Sequence, residues 1–418
     1  GDQDAGGKLA AGRTGGKPVA PLSTPGLPVT ATADSADAPA LVGSADGRFA
    51  PGWTVQQTTA VSAGAGRGLQ GLSCTAPGTS FWLPGASTAE ERQDAVHLTN
   101  PDSTGAVVDL DLYGKDGKVK TPGGGGEGIT VPPRSTVQVL LSTLTDEPAT
   151  NLTLRVVARN GRVGAFVHAV DEKSGGDWLP AAGDAAPEAV LPGIPGDATS
   201  VRLVAFAPGG QDADLKVRLA GPSGAISPAG HETLHLKAGM TTAVDLRDLT
   251  QGETGSLVLS PAESAEDATP VVAAVRVTRG KGANQETAFI PSTAPVSDRA
   301  GVAGNGARDS ELALTATDKD AKVRVTASSG AGGGSPRSTT VTVKAHTTKS
   351  FAPPRPQGGK GRYAVTVEPR SGGPVYASRT LTQRMDGVPA FTVQTLPDDR
   401  STVAVPRSSE DLSILTDE

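Results

Sequence analysis

The sequence predicts an all-β protein of three tandem immunoglobulin-like β-sandwich domains behind a disordered N-terminal linker. Runs of Val, Thr and Leu alternate with polar residues, as half-buried strands require. Helical periodicity is nearly absent, and turn-forming residues are abundant, with 54 Gly and 33 Pro among 418 residues. One pattern recurs with a period of roughly 100 residues, the length of a seven-stranded sandwich.

The first two copies of the repeat share landmarks at a constant spacing. Each opens with Leu-Pro-Gly, at residues 83–85 and again at 191–193. Two turn landmarks then recur 107 positions apart (208 − 101 and 224 − 117), namely Pro101 and Pro208, and Gly117 and Gly224. Two landmarks at one offset indicate duplication. A period this long also exceeds that of propeller blades and solenoids, which run roughly 20–50 residues.

The third copy is weaker but keeps the same order. Residues 312–314 and 323–325 match strands of the earlier copies, and a Gly-rich run at 329–335 replaces the turn. The next strand recurs at 129–131, 234–236 and 341–343. Each copy ends near an aromatic residue, which is Trp178, Phe289 or Phe391.

The repeats set the predicted domain boundaries. They are a flexible linker at 1–35, an N-terminal β segment at 36–78, and β-sandwich repeats at 79–187, 188–295 and 296–418, the last with a C-terminal strand at 402–405. The linker holds almost no large apolar side chains, so burial would not offset the entropy lost on ordering. Joined end to end, the repeats would form a semi-rigid rod.

The segment 36–78 has β character without a full domain. Residues 44–47 suggest a hairpin turn, and 53–59 read as a further strand. Such strands are marginally stable alone. They either complete a sheet of the first repeat or are the tail of an upstream domain. Cys74 is the only cysteine, so it is either a buried inert thiol or bonded to a residue upstream of the chain.

Charge and hydropathy narrow the partner classes. The net charge is −6. The sequence has no basic patch with interleaved aromatics, so nucleic acid is not an expected partner. No apolar run approaches the roughly 18 residues of a membrane span. The chain starts with Gly1, and we expect a signal peptide or membrane anchor upstream of it.

Residues 52–82 carry a family resemblance. Gly52-Trp53, the run 56–59, Cys74 and the run 77–82, followed by three β repeats, resemble a domain of unknown function in actinobacterial secreted proteins. The resemblance covers residue 38 to the end. It implies an extracytoplasmic, envelope-associated protein, often encoded beside a glycosyltransferase. It brings no active-site residues.

One motif suggests catalysis. His231-Glu232-Thr233-Leu234-His235 matches H-E-x-x-H, in which a helix places two His on one face to bind zinc. The repeat alignment instead places 234–236 on a strand, where residues four apart lie about 13 Å from each other. Ala238 and Thr241 also stand where the extended zinc motif needs Gly and His. We therefore interpret the match as accidental and predict no catalytic, cofactor or metal site.

Other polar positions have ordinary interpretations. The acid pairs Asp109/Asp111 and Asp318/Asp320 could suggest calcium, which takes six to eight oxygen ligands. That number cannot be assembled here, so the pairs are read as the wet faces of strands. The remaining histidines, His97, His168 and His346, are expected at exposed or rim positions.

Carbohydrate-binding sandwiches present exposed aromatic platforms. Trp82 and Trp178 align with apolar positions of the other copies and are predicted to be core. Trp53, Tyr113 and Tyr376 remain as candidate surface aromatics.

The predicted function is a non-enzymatic extracytoplasmic scaffold or interaction protein at the cell envelope. The alternative is a module that binds cell-surface polysaccharide, or an accessory subunit of a membrane glycosyltransferase. A hydrolase is the remote alternative, since it needs a cleft with paired carboxylates about 5–9.5 Å apart.

Overall fold

A computed structural model describes residues 8–11, 19–33, 40–262, 268–385 and 388–399. The chain is nearly all β, in several separate antiparallel sheets, which confirms the predicted fold class. The division into three tandem sandwich domains stays a prediction. The strand predicted at 402–405 lies outside the described residues.

Four strands precede the first repeat. They are β1 (Lys8–Ala11), β2 (Leu41–Ser44), β3 (Gln56–Val61) and β4 (Gly68–Ser73). The linker prediction fails at β1, which pairs with β2 through its backbone. The predicted hairpin turn at 44–47 also fails, because a 3-10 turn follows β2 at Gly47–Phe49.

The three repeats supply the remaining strands. The first has β5 (Ser80–Ala86), β6 (Arg92–Asn100), β7 (Ala106–Gly114), β8 (Gly117–Lys118), β9 (Ile129–Val131), β10 (Ser135–Leu140), β11 (Leu152–Asn160), β12 (Gly164–Asp171) and β13 (Gly175–Pro180). The second has β14 (Ala189–Ile194), β15 (Ala198–Phe206), β16 (Ala213–Ala220), β17 (Ala225–Ile226), β18 (Thr233–Leu236), β19 (Thr241–Asp245), β20 (Gly255–Pro261), β21 (Val272–Arg279) and β22 (Glu286–Pro291). The third has β23 (Ala300–Asn305), β24 (Ser310–Ala316), β25 (Ala321–Gly330), β26 (Arg337–Val343), β27 (Thr347–Phe351), β28 (Tyr363–Gly372), β29 (Val375–Met385) and β30 (Val388–Thr395).

Each repeat contains two sheets. We call the sheet with the repeat's first strand its opening sheet; in the three repeats the strand orders are β5-β11-β7-β8, β14-β20-β16-β17 and β23-β28-β25-β26. We call the sheet with the last hairpin its closing sheet; the orders are β10-β6-β12-β13, β19-β15-β21-β22 and β27-β24-β29-β30. The strands β9 and β18 add to the first and second opening sheets by pairing with β7 and β16.

The alternation of apolar residues determines which face of each strand is buried. Along β6, Val96 and Leu98 are fully buried, while the alternating residues His97 and Thr99 are half-buried. Val96 and Leu98 share one hydrophobic cluster with Leu110 and Leu154 of the opening sheet. Comparable clusters join the two sheets of the second and third repeats. Period-two alternation was therefore a sound guide to the cores.

Each opening sheet begins with a bulged strand. The ladders of β5, β14 and β23 shift register beside Gly85, Gly193 and Gly304. All three glycines have positive φ, at 108°, 80° and 76°. A side chain there would be strained. The Leu-Pro-Gly motif at 83–85 and 191–193 is thus a bulge, and Ala303-Gly304 is its counterpart in the third repeat.

The hairpin of β3 and β4 occupies the place of a repeat's last hairpin. Antiparallel bridges join Gly78 to Val163, Ala186 to Val271 and Val296 to Val375. In each case the first residue lies between a closing hairpin and the next opening strand. The strand β4 is therefore equivalent to β13 and β22. The hairpin does not complete a sheet of the first repeat, because β3 and β4 pair only with each other among the described strands.

Candidate functional site

The strands β4, β13, β22 and β30 meet in a closed ring. Each contacts two neighbours, in the order β4, β13, β22, β30 and back to β4. The third repeat thus returns to the first through the hairpin. The expectation of an end-to-end rod is wrong, because the repeats bury their closing strands against one another. We call this meeting point the junction.

Asp177 lies at the centre of the junction. It is 1% exposed. Its carboxylate accepts the backbone N–H of Gly71 on β4 at 2.9 Å and the hydroxyl of Thr392 on β30 at 3.0 Å. Burial raises the pKa of Asp177 well above its usual range, and hydrogen bonds from Gly71, Trp178 and Thr392 offset this only in part. One carboxyl group therefore links the first repeat, the hairpin and the third repeat.

Gly71 allows this close approach. A Cβ at this position would lie 2.5 Å from Cγ2 and 2.8 Å from Oγ1 of Thr392. Below the junction, Leu69 of β4 shares a small hydrophobic cluster with Leu381 and Ala390 of the third repeat. The hairpin is consequently held by apolar contact as well as by Asp177.

Arg67 ties the tip of the hairpin to the first two repeats. Its guanidinium donates to the carbonyl of Lys173 at 2.6 Å, and to those of Ala283 and Gln285 at 3.3 Å. The first carbonyl lies in the β12–β13 turn and the other two in the β21–β22 connection. Nearby, burial raises the pKa of Glu286 to about 7, and Arg67 lowers it only partly.

The bulged strands dock each repeat onto the next. On β5, Trp82 stacks with Phe206 of the second repeat at a centroid distance of 5.0 Å. On β14, a Cβ at Gly193 would lie 2.1 Å from Oγ of Ser378 in the third repeat. Ser256 of β20 adds a hydroxyl contact of 2.7 Å to Thr315 of the third repeat. In both cases an opening sheet covers the outer face of the following closing sheet.

The third bulged strand docks onto the hairpin instead. Gln56 accepts the backbone N–H of Ala303 at 2.6 Å. Thr54 donates to the carbonyl of Gly301 at 3.2 Å. The bulged strand of the third repeat therefore packs on the hairpin, as β5 and β14 pack on the repeats that follow them.

Buried charges reinforce these contacts. The side chains of Arg92 and Asp94 form a salt bridge at 5% and 0% exposure. Arg92 also lies over the ring of Phe289, 5.6 Å from its centroid, where the first and second repeats pack together. Within the third repeat, buried Arg379 donates to Gln394, and burial lowers its pKa to about 10.

The three candidate surface aromatics differ in how exposed they are. The prediction for Tyr376 is wrong, because the residue is 7% exposed. It contacts Val190, Ala220 and Val258 of the second repeat, and its hydroxyl bonds to Glu188 at 3.2 Å. Its interface could not be inferred locally, because these partners lie far away in the chain.

Tyr113 and Trp53 keep part of their surface. Tyr113 is half-buried, with its ring 4.9 Å from that of Phe206 and 5.9 Å from that of Trp82. It therefore belongs to the contact between the first and second repeats. Trp53 is half-buried ahead of β3.

The H-E-x-x-H match has no helical geometry. His235 lies on β18, as the repeat alignment predicted, and His231 lies in the turn before it. The His235 ring instead contacts Asp214 at 2.8 Å. The two histidines therefore do not lie on one face of a helix, as zinc binding by this motif requires.

Three of the four paired acids engage cations of the protein. Asp109 pairs with Arg159, Asp111 with Lys118, and Asp320 with Lys344. Within the described residues, no group of three or more His, Cys, Asp or Glu side chains could hold a metal ion. Cys74 is exposed and forms no disulfide among the described residues. Its predicted upstream bond stays a prediction.

Sequence reasoning missed an aromatic group on the first closing sheet. His97 and His168 flank Trp178, with ring centroids 4.9 Å and 4.7 Å away. Gln70 of β4 contacts Nε2 of His168 at 3.0 Å. Burial and the neighbouring His168 lower the pKa of His97 to about 4. His97 and His168 are half-buried on the outer face and His346 is exposed, as expected for rim or exposed positions. Their contacts with Trp178 were not expected.

The described residues border open cavities beside the tip of the hairpin and on the first opening sheet. One of about 450 Å³ is bordered by Arg67, Glu172 and Gln285, and the guanidinium donors there already bind backbone carbonyls. In the described part of the chain, no helix is long and apolar enough to cross a membrane.

These features define an all-β protein whose repeats close on a shared junction. A family model matches residues 29–354, and the chain therefore belongs to the family of unknown function DUF5719. No curated protein and no solved structure matched the chain.

Proposed function

We propose that this protein is a non-enzymatic, extracytoplasmic scaffold or interaction protein of the cell envelope. The location of its perturbed ionisable groups supports this role. In enzymes such groups typically line a cleft. Here Asp177 joins three parts of the chain at the junction, Glu286 lies beside it, and Arg379 lies inside the third repeat. These three groups lie where parts of the protein pack together.

A closed junction suits a scaffold. Docked repeats that also meet at their ends resist bending more than repeats joined in a line. The surface would then be presented in a fixed geometry. Recognition by such a protein resides in its surface faces and loops.

The envelope location rests on the resemblance to actinobacterial secreted proteins. An engineered thiol tests it. Asp116 is a suitable site because its side chain is 83% exposed in the β7–β8 turn. The chain with Cys74→Ser and Asp116→Cys should react with a membrane-impermeant maleimide in intact cells. Reaction only after lysis would refute the location, and Cys74→Ser alone is the control.

The non-enzymatic role can be tested by complementation in the source organism. Variants at the only catalytic-looking motif, His231→Ala and His235→Ala, should restore a deletion strain fully. A variant that weakens the junction, Gly71→Ala, should restore it less well. Loss of function in both histidine variants, at normal protein level, would favour an enzyme.

The resemblance also implies partner classes. These are cell-surface polysaccharide and a membrane glycosyltransferase. Co-sedimentation of the chain with isolated envelope polysaccharide tests the first class. Saturable binding that survives EDTA would replace the scaffold proposal by a glycan-binding one.

A further inference from the structure

The outer face of the first closing sheet differs from its two counterparts. In the ladders, His97, Thr99, Phe166 and Trp178 occupy the positions that Val204, Phe206, Ala274 and Phe289 occupy in the second repeat. Ala313, Thr315, Ser378 and Val393 occupy them in the third. We call this set in the first repeat the open face.

The counterparts are buried by docking. Val204, Phe206, Ala274 and Phe289 are all 1% exposed, beneath β5 and its neighbours. Ala313, Thr315, Ser378 and Val393 are 0–3% exposed, beneath β14 and its neighbours. In the open face, His97, Thr99 and Phe166 remain half-buried, whereas Trp178 is 7% exposed.

The exposed apolar surface is continuous with the open face. Leu140 of β10 is 42% exposed and lies opposite Ala95 on the same side of the sheet. The shared hydroxyl contact of Thr99 and Thr136, at 3.0 Å, confirms which side of β10 faces outward. A large exposed aliphatic residue beside half-buried aromatics is typical of an interaction surface.

The hairpin of β3 and β4 covers only part of the open face. It covers one edge of the open face, where Gln70 meets His168. In the third repeat, the bulge glycine Gly304 has no heavy atom within 4 Å of an added Cβ. By contrast, Gly193 lies against Ser378 and Ala313 of the next repeat. Among the described residues, the bulge of β23 is thus less tightly covered than the bulge of β14.

We infer that the open face binds a bulged β-strand of another polypeptide, an edge strand with a positive-φ glycine like β5 and β14. The two repeats whose faces are covered show what kind of strand fits. Among the described strands, a second copy of this chain offers no free strand of that kind, because the bulges of β5 and β14 are buried and β23 is tied to Thr54 and Gln56. The inference deepens the proposed interaction role and rests on it.

Disulfide trapping tests this inference with the full chain. The probe is a synthetic peptide of residues 79–86, which carries the β5 bulge, extended by a terminal cysteine. In a Cys74→Ser background, Gln138→Cys places a thiol on the exposed edge of the open face. Ile226→Cys is the matched control, since Ile226 is 57% exposed on the second repeat.

In a buffer of reduced and oxidised glutathione, whose disulfide takes up the two electrons of each new bond, the Gln138→Cys chain should capture the peptide at least about tenfold more than the Ile226→Cys chain, since binding raises the local peptide concentration. A peptide with Gly85→Leu cannot adopt the bulge without strain and should lose this preference. Adding Leu140→Asp or Phe166→Ser should reduce capture as well.

Equal capture at both thiols would overturn the inference, as would undiminished capture of the Gly85→Leu peptide. A concentration-dependent dimer of the unmodified chain, abolished by Leu140→Asp in sedimentation, would also overturn it by making a second copy the occupant. The outcome of maleimide labelling in cells is independent, so a failed capture leaves the envelope proposal standing.

Discussion

The carboxylate of Asp177 accepts the hydroxyl of Thr392 at 3.0 Å, although 215 positions separate the two residues. This contact joins the first repeat to the third at a buried point. Gly71 of the N-terminal hairpin donates to the same carboxylate. The chain is therefore closed on itself by one polar group that three segments share.

The closure requires glycine at position 71. Gly71→Ala would place a Cβ 2.5 Å from the Thr392 methyl carbon. Overpacking of this kind costs about 1–3 kcal/mol, and we expect that loss in the free energy of unfolding by urea. Thr392→Ser removes the methyl group and should restore part of the stability. Gly210→Ala is the control, because nothing lies within 4 Å of its Cβ; an equal effect in both variants would contradict the account.

Asp177→Asn should stabilise the protein at neutral pH. An asparagine oxygen still accepts the Gly71 N–H, and its amide can donate to the Thr392 hydroxyl. The change removes a buried charge, whose burial raises the pKa of Asp177. We expect a gain of about 1 kcal/mol in the free energy of unfolding at pH 8, the scale of a buried hydrogen-bonded group. A loss at pH 8 would mean that the ionised form is preferred.

Glu286 should make stability depend on pH. Its folded pKa of about 7 exceeds the ordinary value of 4.5, so the folded state binds the proton more tightly. The resulting stabilisation is full below pH 4.5 and is lost as the pH rises through 7. The Glu286→Gln variant should show a flatter profile of unfolding free energy between pH 5 and 8. If the unfolding free energy of that variant depended on pH as it does in the wild type, another group would be responsible for the dependence.

The bulge glycine Gly193 should not tolerate substitution, because it packs against the third repeat. Gly193→Ala adds both positive-φ strain and a Cβ 2.1 Å from Oγ of Ser378. Gly252→Ala, with φ of 98° and open space around it, adds the strain alone. We expect Gly193→Ala to lower the unfolding free energy by about 1–3 kcal/mol more than Gly252→Ala. Ser378→Ala should recover part of this difference, since that hydroxyl has no hydrogen-bond partner; equal losses at both glycines would contradict docking.

No metal should be needed for folding. The H-E-x-x-H histidines lie on and before a strand, so EDTA should leave the melting temperature unchanged. Elemental analysis of the purified chain should show less than about 0.1 zinc per molecule, far from the full occupancy of a structural site. Stoichiometric zinc lost in the His235→Ala variant would reverse this interpretation.

Local patterns predicted the strands well and the contacts between repeats poorly. Alternation placed Val96 and Leu98 inside a core, and the repeat alignment placed His235 on a strand. Tyr376 was misjudged because its burial depends on Val190 and Val258, which no local pattern relates to it.

The junction was out of reach for the same reason. Gly71 and Asp177 are ordinary residues in their own strands, and their roles depend on a strand from the other end of the chain. The Leu-Pro-Gly motif was visible as a repeat landmark. Its docking role follows only from what lies opposite Gly193 in space.

A double-mutant cycle between Asp177 and Thr392 tests the closed arrangement most directly. Asp177→Ala, Thr392→Val and the double variant would be compared by urea unfolding. Because the residues are in contact, we expect a coupling energy of about 1–3 kcal/mol, with the double variant less destabilised than the sum of the single ones. Additive effects within about 0.3 kcal/mol would mean that the first and third repeats do not meet in solution, and would contradict the closed junction.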